Sequence, residues 1–137
     1  MHRGTMLLAA VAGASAVVIG AFGAHGLEDR LVGMGIDGET IDRRLPQFDT
    51  GARYHLAHAL AILAFAAAPF TASRLRTTIV TMFGLGIVFF SGSLYLLVLT
   101  NTPWLGAVTP IGGVCWIVAW SLLGVLAITS KDEKPNR

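Results

Sequence analysis

TTIVTMFGLGIVFFSGSLYLLVLTNTPWLGAVTPIGGVCWIVAWSLLGVLAITS, residues 77–130, runs for 54 residues without an Asp, Glu, Lys, Arg or His. As one helix it would extend about 80 Å, at ~1.5 Å per residue, against a hydrocarbon core about 30 Å thick. The stretch must therefore fold back once. The reversal falls at Asn101-Thr102-Pro103, because asparagine favours turns and proline drives its predecessor out of the helical region. Thr109-Pro110 then reads as an N-cap followed by a proline in the first helical turn. Two membrane-length helices, about 77–99 and 110–129, follow.

Working outward, Thr5 to Ala24 is a charge-free run of 20 residues, and Tyr54 to Ser73 is another, bounded by Arg53 and Arg74. They predict helices over about 5–24 and 50–70. The fold class is all-α: an integral membrane up-and-down bundle of four transmembrane helices. One domain, 1–137, carries an outer loop at about 25–49 and a polar tail at 130–137. Composition agrees, with 54% hydrophobic and 13% charged residues, where soluble domains carry about 25% charged. Lipid is the natural solvent. A net charge of +2 without a basic stripe argues against nucleic acid. The single cysteine, Cys115, lies in an apolar run and reads as a packing residue.

The first span has a rival reading as a secretory signal peptide, with Arg3 ahead of it and Ala21-Phe22-Gly23-Ala24 as a cleavage site. Its apolar run exceeds the ~7–15 residues usual for such segments, which favours a retained helix. Ala12, Ala16, Gly20 and Ala24 recur every four residues, an edge along which another helix can approach closely. In the outer loop, Leu27, Leu31, Val32 and Met34 alternate with Glu28, Asp29 and Arg30, suggesting a short amphipathic turn at the interface. Pro46 is placed to open the second helix early, so that Asp49 and Arg53 pair. Arg3, Arg74, Arg76, Lys131, Lys134 and Arg137 face Arg30, Arg43, Arg44 and Arg53 across the membrane. That bias puts both termini in the cytoplasm.

Topology gathers the polar side chains at the long-loop end. His25 ends the first helix; Tyr54, His55 and His58 begin the second; Ser91, Ser93 and Tyr95 lie in the third; Thr109, Gly112 and Gly113 start the fourth. Counting about four residues inward from Tyr54, from Leu99 and from Pro110 puts His58 level with Tyr95 and the glycine pair Gly112 and Gly113, with Ser91 and Ser93 about one turn deeper.

Four stretches, in order, carry a resemblance: Ala21 to Leu27, Tyr54 with His58-Ala59-Leu60, Phe90 to Tyr95, and Thr109 to Gly113. Together they are similar to the YgdD-like small inner-membrane proteins, over residues from about 5 to 128. The resemblance implies a four-helix integral membrane protein of unknown function and supplies no catalytic residue. It also implies that position 55 often carries glutamine, which makes His55 the less important imidazole.

The chemistry of the cluster has three readings. A metal or haem site needs three or four ligands, often with acid or thiolate partners; His25, His55 and His58 offer three, without an internal Asp, Glu or Cys at that level. A neutral His58 bonded to Tyr95, Ser91 or Ser93 would pin neighbouring helices, the favoured reading. A proton or small-ligand site is the third. No nucleophile with a base, carboxylate pair or phosphate loop is evident, so the sequence predicts no catalytic residue, metal or cofactor. The expected role is a non-catalytic accessory or scaffold subunit packing in the bilayer against a larger membrane complex, or forming a homo-oligomer. The alternatives are a small transporter or channel component, or a quinone-, haem- or metal-binding membrane protein.

Overall fold

The computed structural model describes residues 3–68 and 74–129; the expected end of the second helix at 69–70, part of the loop 71–76 and the tail 130–137 lie outside the described residues. The described residues are helical throughout, apart from turns, and contain no strand. The first helix, α1, spans Arg3–His25. The amphipathic turn is α2, Leu27–Gly33, with Leu27 and Leu31 buried. It stops at Gly35, whose φ of +73° only glycine adopts cheaply. Gly35 N–H donates to Val32 O at 2.9 Å and Ile36 N–H to Leu31 O at 3.3 Å, closing the helix end.

The second long helix, α3, is Gly38–Ala67, beginning well before the expected residue 50. Its signal is Asp37, whose carboxylate accepts from Thr40 N–H at 2.9 Å. Pro46 lies inside the helix and does not open it. Its missing N–H leaves a gap in the backbone ladder on an exposed face, where water can satisfy the freed carbonyl. Asp49 and Arg53 do pair, at 2.8 Å.

The third rod, Arg74–Leu99, comprises α4 (Arg74–Gly86), a π-turn (Ile87–Gly92) and α5 (Ser93–Leu99). The chain then reverses through Asn101, which takes a φ of +48°, a conformation asparagine tolerates. After a 3₁₀ turn at Pro103–Ala107 comes α6, Thr109–Thr129. Thr109 is the first helical residue, and its hydroxyl is engaged by Ser93 Oγ at 2.8 Å instead of serving as an N-cap. Arg44 reaches across the same end, donating to Asn101 Oδ1 through Nη2 at 2.8 Å.

The long helices run antiparallel in series: α1 packs along α3, α3 along the third rod, and the rod along α6. Half of the small-residue edge of α1 is used within the chain: Ala12 and Ala16 are buried, while Gly20 has open space above it and Ala24 is exposed. At Gly23 a Cβ would stand 2.9 Å from the Phe48 ring, which is how closely α1 and α3 approach there. Ile62, Phe65, Ile79, Phe83, Trp116 and Ala119 form the main core, and Leu27, Leu31, Ile41, Phe48, Leu97 and Val98 a second one at the long-loop end. Arg76, expected as a loop cation, is buried; it donates to Phe65 O at 3.0 Å and lies over the Phe65 ring at 4.8 Å. Among the described residues, three helices are long and apolar enough to cross a membrane: α1, the third rod, and Pro103–Thr129.

Candidate functional site

Two imidazoles stand three residues apart on α3 and face different neighbours. His55 turns to α1 and α5. Tyr95 Oη lies 3.2 Å from its Nδ1, and Ser15 Oγ makes a longer contact with Nε2 at 3.5 Å. The Ser15 hydroxyl is committed as a donor to the carbonyls of Val11 and Ala12 at 2.9 and 3.0 Å. Its oxygen therefore accepts, so His55 carries its proton on Nε2 and takes the Tyr95 hydroxyl proton at Nδ1. Gly51 makes room for Tyr95: a Cβ there would meet Tyr95 Cε1 at 3.0 Å. Phe48 closes the other side of the Tyr95 ring at 4.9 Å.

His58 turns to α4 and α6. Nδ1 is 2.8 Å from Tyr54 O, an acceptor, so Nδ1 carries the proton. Nε2 then accepts from Trp120 Nε1–H at 3.4 Å. The ring lies flat on Trp116, with centroids 3.7 Å apart and planes within 1°. Trp116 donates to Phe83 O at 3.1 Å, and its indole occupies the space a side chain at Gly86 would need. The two histidines are thus opposite tautomers, each satisfied without an ion.

This corrects the expected pairing. Tyr95 is level with His55, not His58, and neither Ser91 nor Ser93 bonds to His58. The expectation takes Tyr54 as the start of the second helix; α3 instead begins at Gly38, so the edge of the charge-free run does not mark its end. The π-turn also alters the phase of the third rod relative to a plain α-helix.

The remaining expected residues divide. Ser93 donates to Phe90 O at 2.9 Å and meets Thr109. Gly112 lies against the Phe90 backbone, where a Cβ would stand 2.8 Å from Phe90 Cα, while Gly113 is open, with Phe90 Cδ2 at 4.0 Å. Tyr54 contributes its carbonyl to His58, and its half-exposed ring packs on Phe90 at 5.0 Å and Trp116 at 5.6 Å. Ser91 Oγ is fully buried and makes no hydrogen bond of good geometry. His25 stands apart from this cluster. It lines an open cleft of about 530 Å³ at the end of α1, with Glu28, Asp29, Asp49, Pro46 and Ala52. Among the described residues, no three His, Cys, Asp or Glu side chains are grouped to hold a metal ion.

Sequence reasoning missed Ser15, Trp116, Trp120 and Arg76. The two tryptophans had a legible signal: spaced four apart in mid-span, both indole N–H groups need partners that lipid cannot supply.

The chain is similar to proteins that are named as membrane proteins. The family described as "Protein of unknown function (DUF423)" matches residues 19–113. The UPF0382 membrane protein YwdK of Bacillus subtilis (strain 168) is 41% identical over 125 residues, covering 90% of this chain and 94% of its own. The UPF0382 inner membrane protein YgdD of Escherichia coli (strain K12) is 37% identical over 136 residues, covering 96% and 94%. A UPF0382 membrane protein of Haemophilus influenzae is 32% identical over 132 residues, covering 96% and 99%. No solved structure matches the chain.

Proposed function

The chain belongs to the DUF423 family, whose relatives are membrane proteins, and from that premise we propose a four-pass, non-catalytic accessory subunit that docks other membrane proteins. The fourth pass is α3. It is packed between α1 and the third rod, both of membrane-spanning length, so its inner part, from about Tyr54 to Ala67, lies within the bilayer. Basic residues support cytoplasmic termini, with six on the terminal side against four on the other. The inner membrane is the expected location, in keeping with the name of the Escherichia coli relative.

The observation that carries the docking role is the division of labour among side chains. The polar groups of the His55 and His58 layers are spent on holding the bundle together. The outward face of α1 presents Leu7, Val11 and Val18, each about two-thirds exposed, while Gly13 and Gly20 lie on the other side of the helix, next to buried Ala9 and Ala16. A helix of another protein can pack against the outward face. Photo-crosslinking from positions 11 and 18 in native membranes, followed by purification in mild detergent, tests this. Discrete adducts with one or a few membrane proteins are expected; labelling of lipid alone, with a monomer recovered, would refute the role.

The cleft beside His25 favours a second reading, a transporter or ligand-binding component. Its Glu28 and Asp29 carboxylates suit a small cationic ligand, Asp49 being paired with Arg53. Cation binding by the purified protein, abolished by Glu28→Gln with Asp29→Asn, would support that reading over docking.

A further inference from the structure

Trp120 is held from one side only. Its indole N–H donates to His58 Nε2, its ring edge meets Phe83 at 5.2 Å, and about half of its surface is exposed. Trp116 is anchored differently: it is buried, donates to Phe83 O, and stacks on His58 face to face. One imidazole therefore joins a fixed indole through its face and a half-exposed indole through its Nε2 lone pair.

We propose that His58 is a proton-operated latch for Trp120. When a proton from water adds to Nε2, the nitrogen that accepted from Trp120 becomes a donor. Two N–H groups then point at each other, and the Trp120 bond is lost. The contact with Trp116 has the opposite response, because a cation over an indole face is attracted. The Nδ1–H bond to Tyr54 O needs no change. Protonation thus leaves His58 in place and frees Trp120 alone. Trp120 is also a wall of an apolar groove of about 220 Å³, formed with Ala61, Ala64, Phe65, Phe83 and Leu123. Its release widens that groove to lipid acyl chains.

The surroundings allow the device to act through His58 itself. On its own helix the neighbouring titratable groups are Tyr54, which contributes a carbonyl, and His55, whose ring faces Ser15 and Tyr95. From α4 it meets Phe83, and from α6 Trp116 and Trp120. Among the described residues no charged side chain is bonded to it.

The test uses the full chain in phosphatidylcholine nanodiscs with Trp104→Phe, leaving Trp116 and Trp120 as fluorophores of the three tryptophans. Emission is followed from about pH 8 to about pH 4, across imidazole titration. A single reversible transition is expected, retained with His55→Gln added and lost with His58→Gln or Trp120→Phe. Lipids brominated along the acyl chain should quench Trp120 more strongly in acid. Nitrogen-15 histidine NMR on the parent protein should show a bare Nε2 at neutral pH, which decides the matter even if His58→Gln does not fold. The proposal is overturned by a transition that survives His58→Gln, by a flat titration of the folded parent, by unchanged quenching, or by a bare Nδ1 on His58.

Discussion

Gly112→Ala adds one methyl group where α6 crosses the third rod, and the structure sets what that methyl meets. The new Cβ would stand 2.7 Å from Phe90 Cβ and 2.8 Å from Phe90 Cα, about 1 Å inside the ~3.5–4.0 Å optimum for carbon atoms. The obstacle is backbone, so no rotamer change relieves it; the rods must separate by roughly 1 Å. Overpacking of this kind costs ~1–3 kcal/mol. Separation also stretches the Ser93–Thr109 contact from 2.8 Å, and an interhelical hydrogen bond in a membrane averages about 0.6 kcal/mol. Against this, alanine gains ~0.5–1 kcal/mol over glycine in a helix interior. The net is a loss of about 0.6–3 kcal/mol. Gly124 lies on the same helix with nothing within 4 Å of its Cβ position, so Gly124→Ala keeps only the gain. Unfolding by sodium dodecyl sulfate, followed by far-ultraviolet circular dichroism in a mild detergent, measures both. The reasoning is refuted if Gly112→Ala is as stable as the parent, or if Gly124→Ala loses as much as Gly112→Ala.

Three further outcomes follow from particular contacts. His55→Ala and Tyr95→Phe should each cost roughly 0.6–1.7 kcal/mol and be non-additive, while His58→Ala and Tyr95→Phe should add independently; detergent unfolding of the single and double variants checks this. Arg76→Gln should lose about 2 kcal/mol, because a buried cation leaves a carbonyl and an aromatic face, whereas exposed Arg74→Gln should stay within about 0.5 kcal/mol in the same assay. At Asp37, the bond from Thr40 N–H holds the carboxyl below its ordinary value. A depressed folded value means the capping contribution is present above the unfolded value near ~3.9 and lost as pH falls through the folded one. Thr40 amide protection from hydrogen exchange, corrected for intrinsic rates, should fall in acid below about pH 4 and become flat with pH in Asp37→Asn.

The long elements were legible because lipid imposes a length and forbids charge. Residues 77–130 gave two helices and their reversal, and the observed ends, Leu99 and Thr109, lie within a residue of those expected. The start of α3 was not legible by that rule, since from Gly38 to about Arg53 the helix carries charged residues throughout. There the decisive signal was local: Asp37 three residues before Thr40, with Gly35 just ahead to end α2. Pro46 misled because proline is common in a first turn, and it is also tolerated farther in where the face is wet.

The site was legible as a neighbourhood and not as a set of bonds. Polar residues at one end of four antiparallel helices must meet, and Ser93 with Thr109, Gly112 with Phe90, and His55 with Tyr95 do. Which histidine meets which partner depends on a shift of one helical turn, about 5.4 Å, and two features supply it. The extension of α3 past Arg53 to Gly38 removes the charge boundary as a ruler, and the π-turn rephases Ser91, Ser93 and Tyr95 relative to Phe83. The same turn lies where Gly112 touches Phe90, next to Gly86 beneath Trp116, so the third rod departs from α geometry where it is pressed hardest. Glycines on one face and a widened turn on the other let α6 come close enough for Trp116 and Trp120 to reach His58. The tryptophans, more than the hydroxyls, decide what that histidine does: one fixes its ring and the other takes its only lone pair.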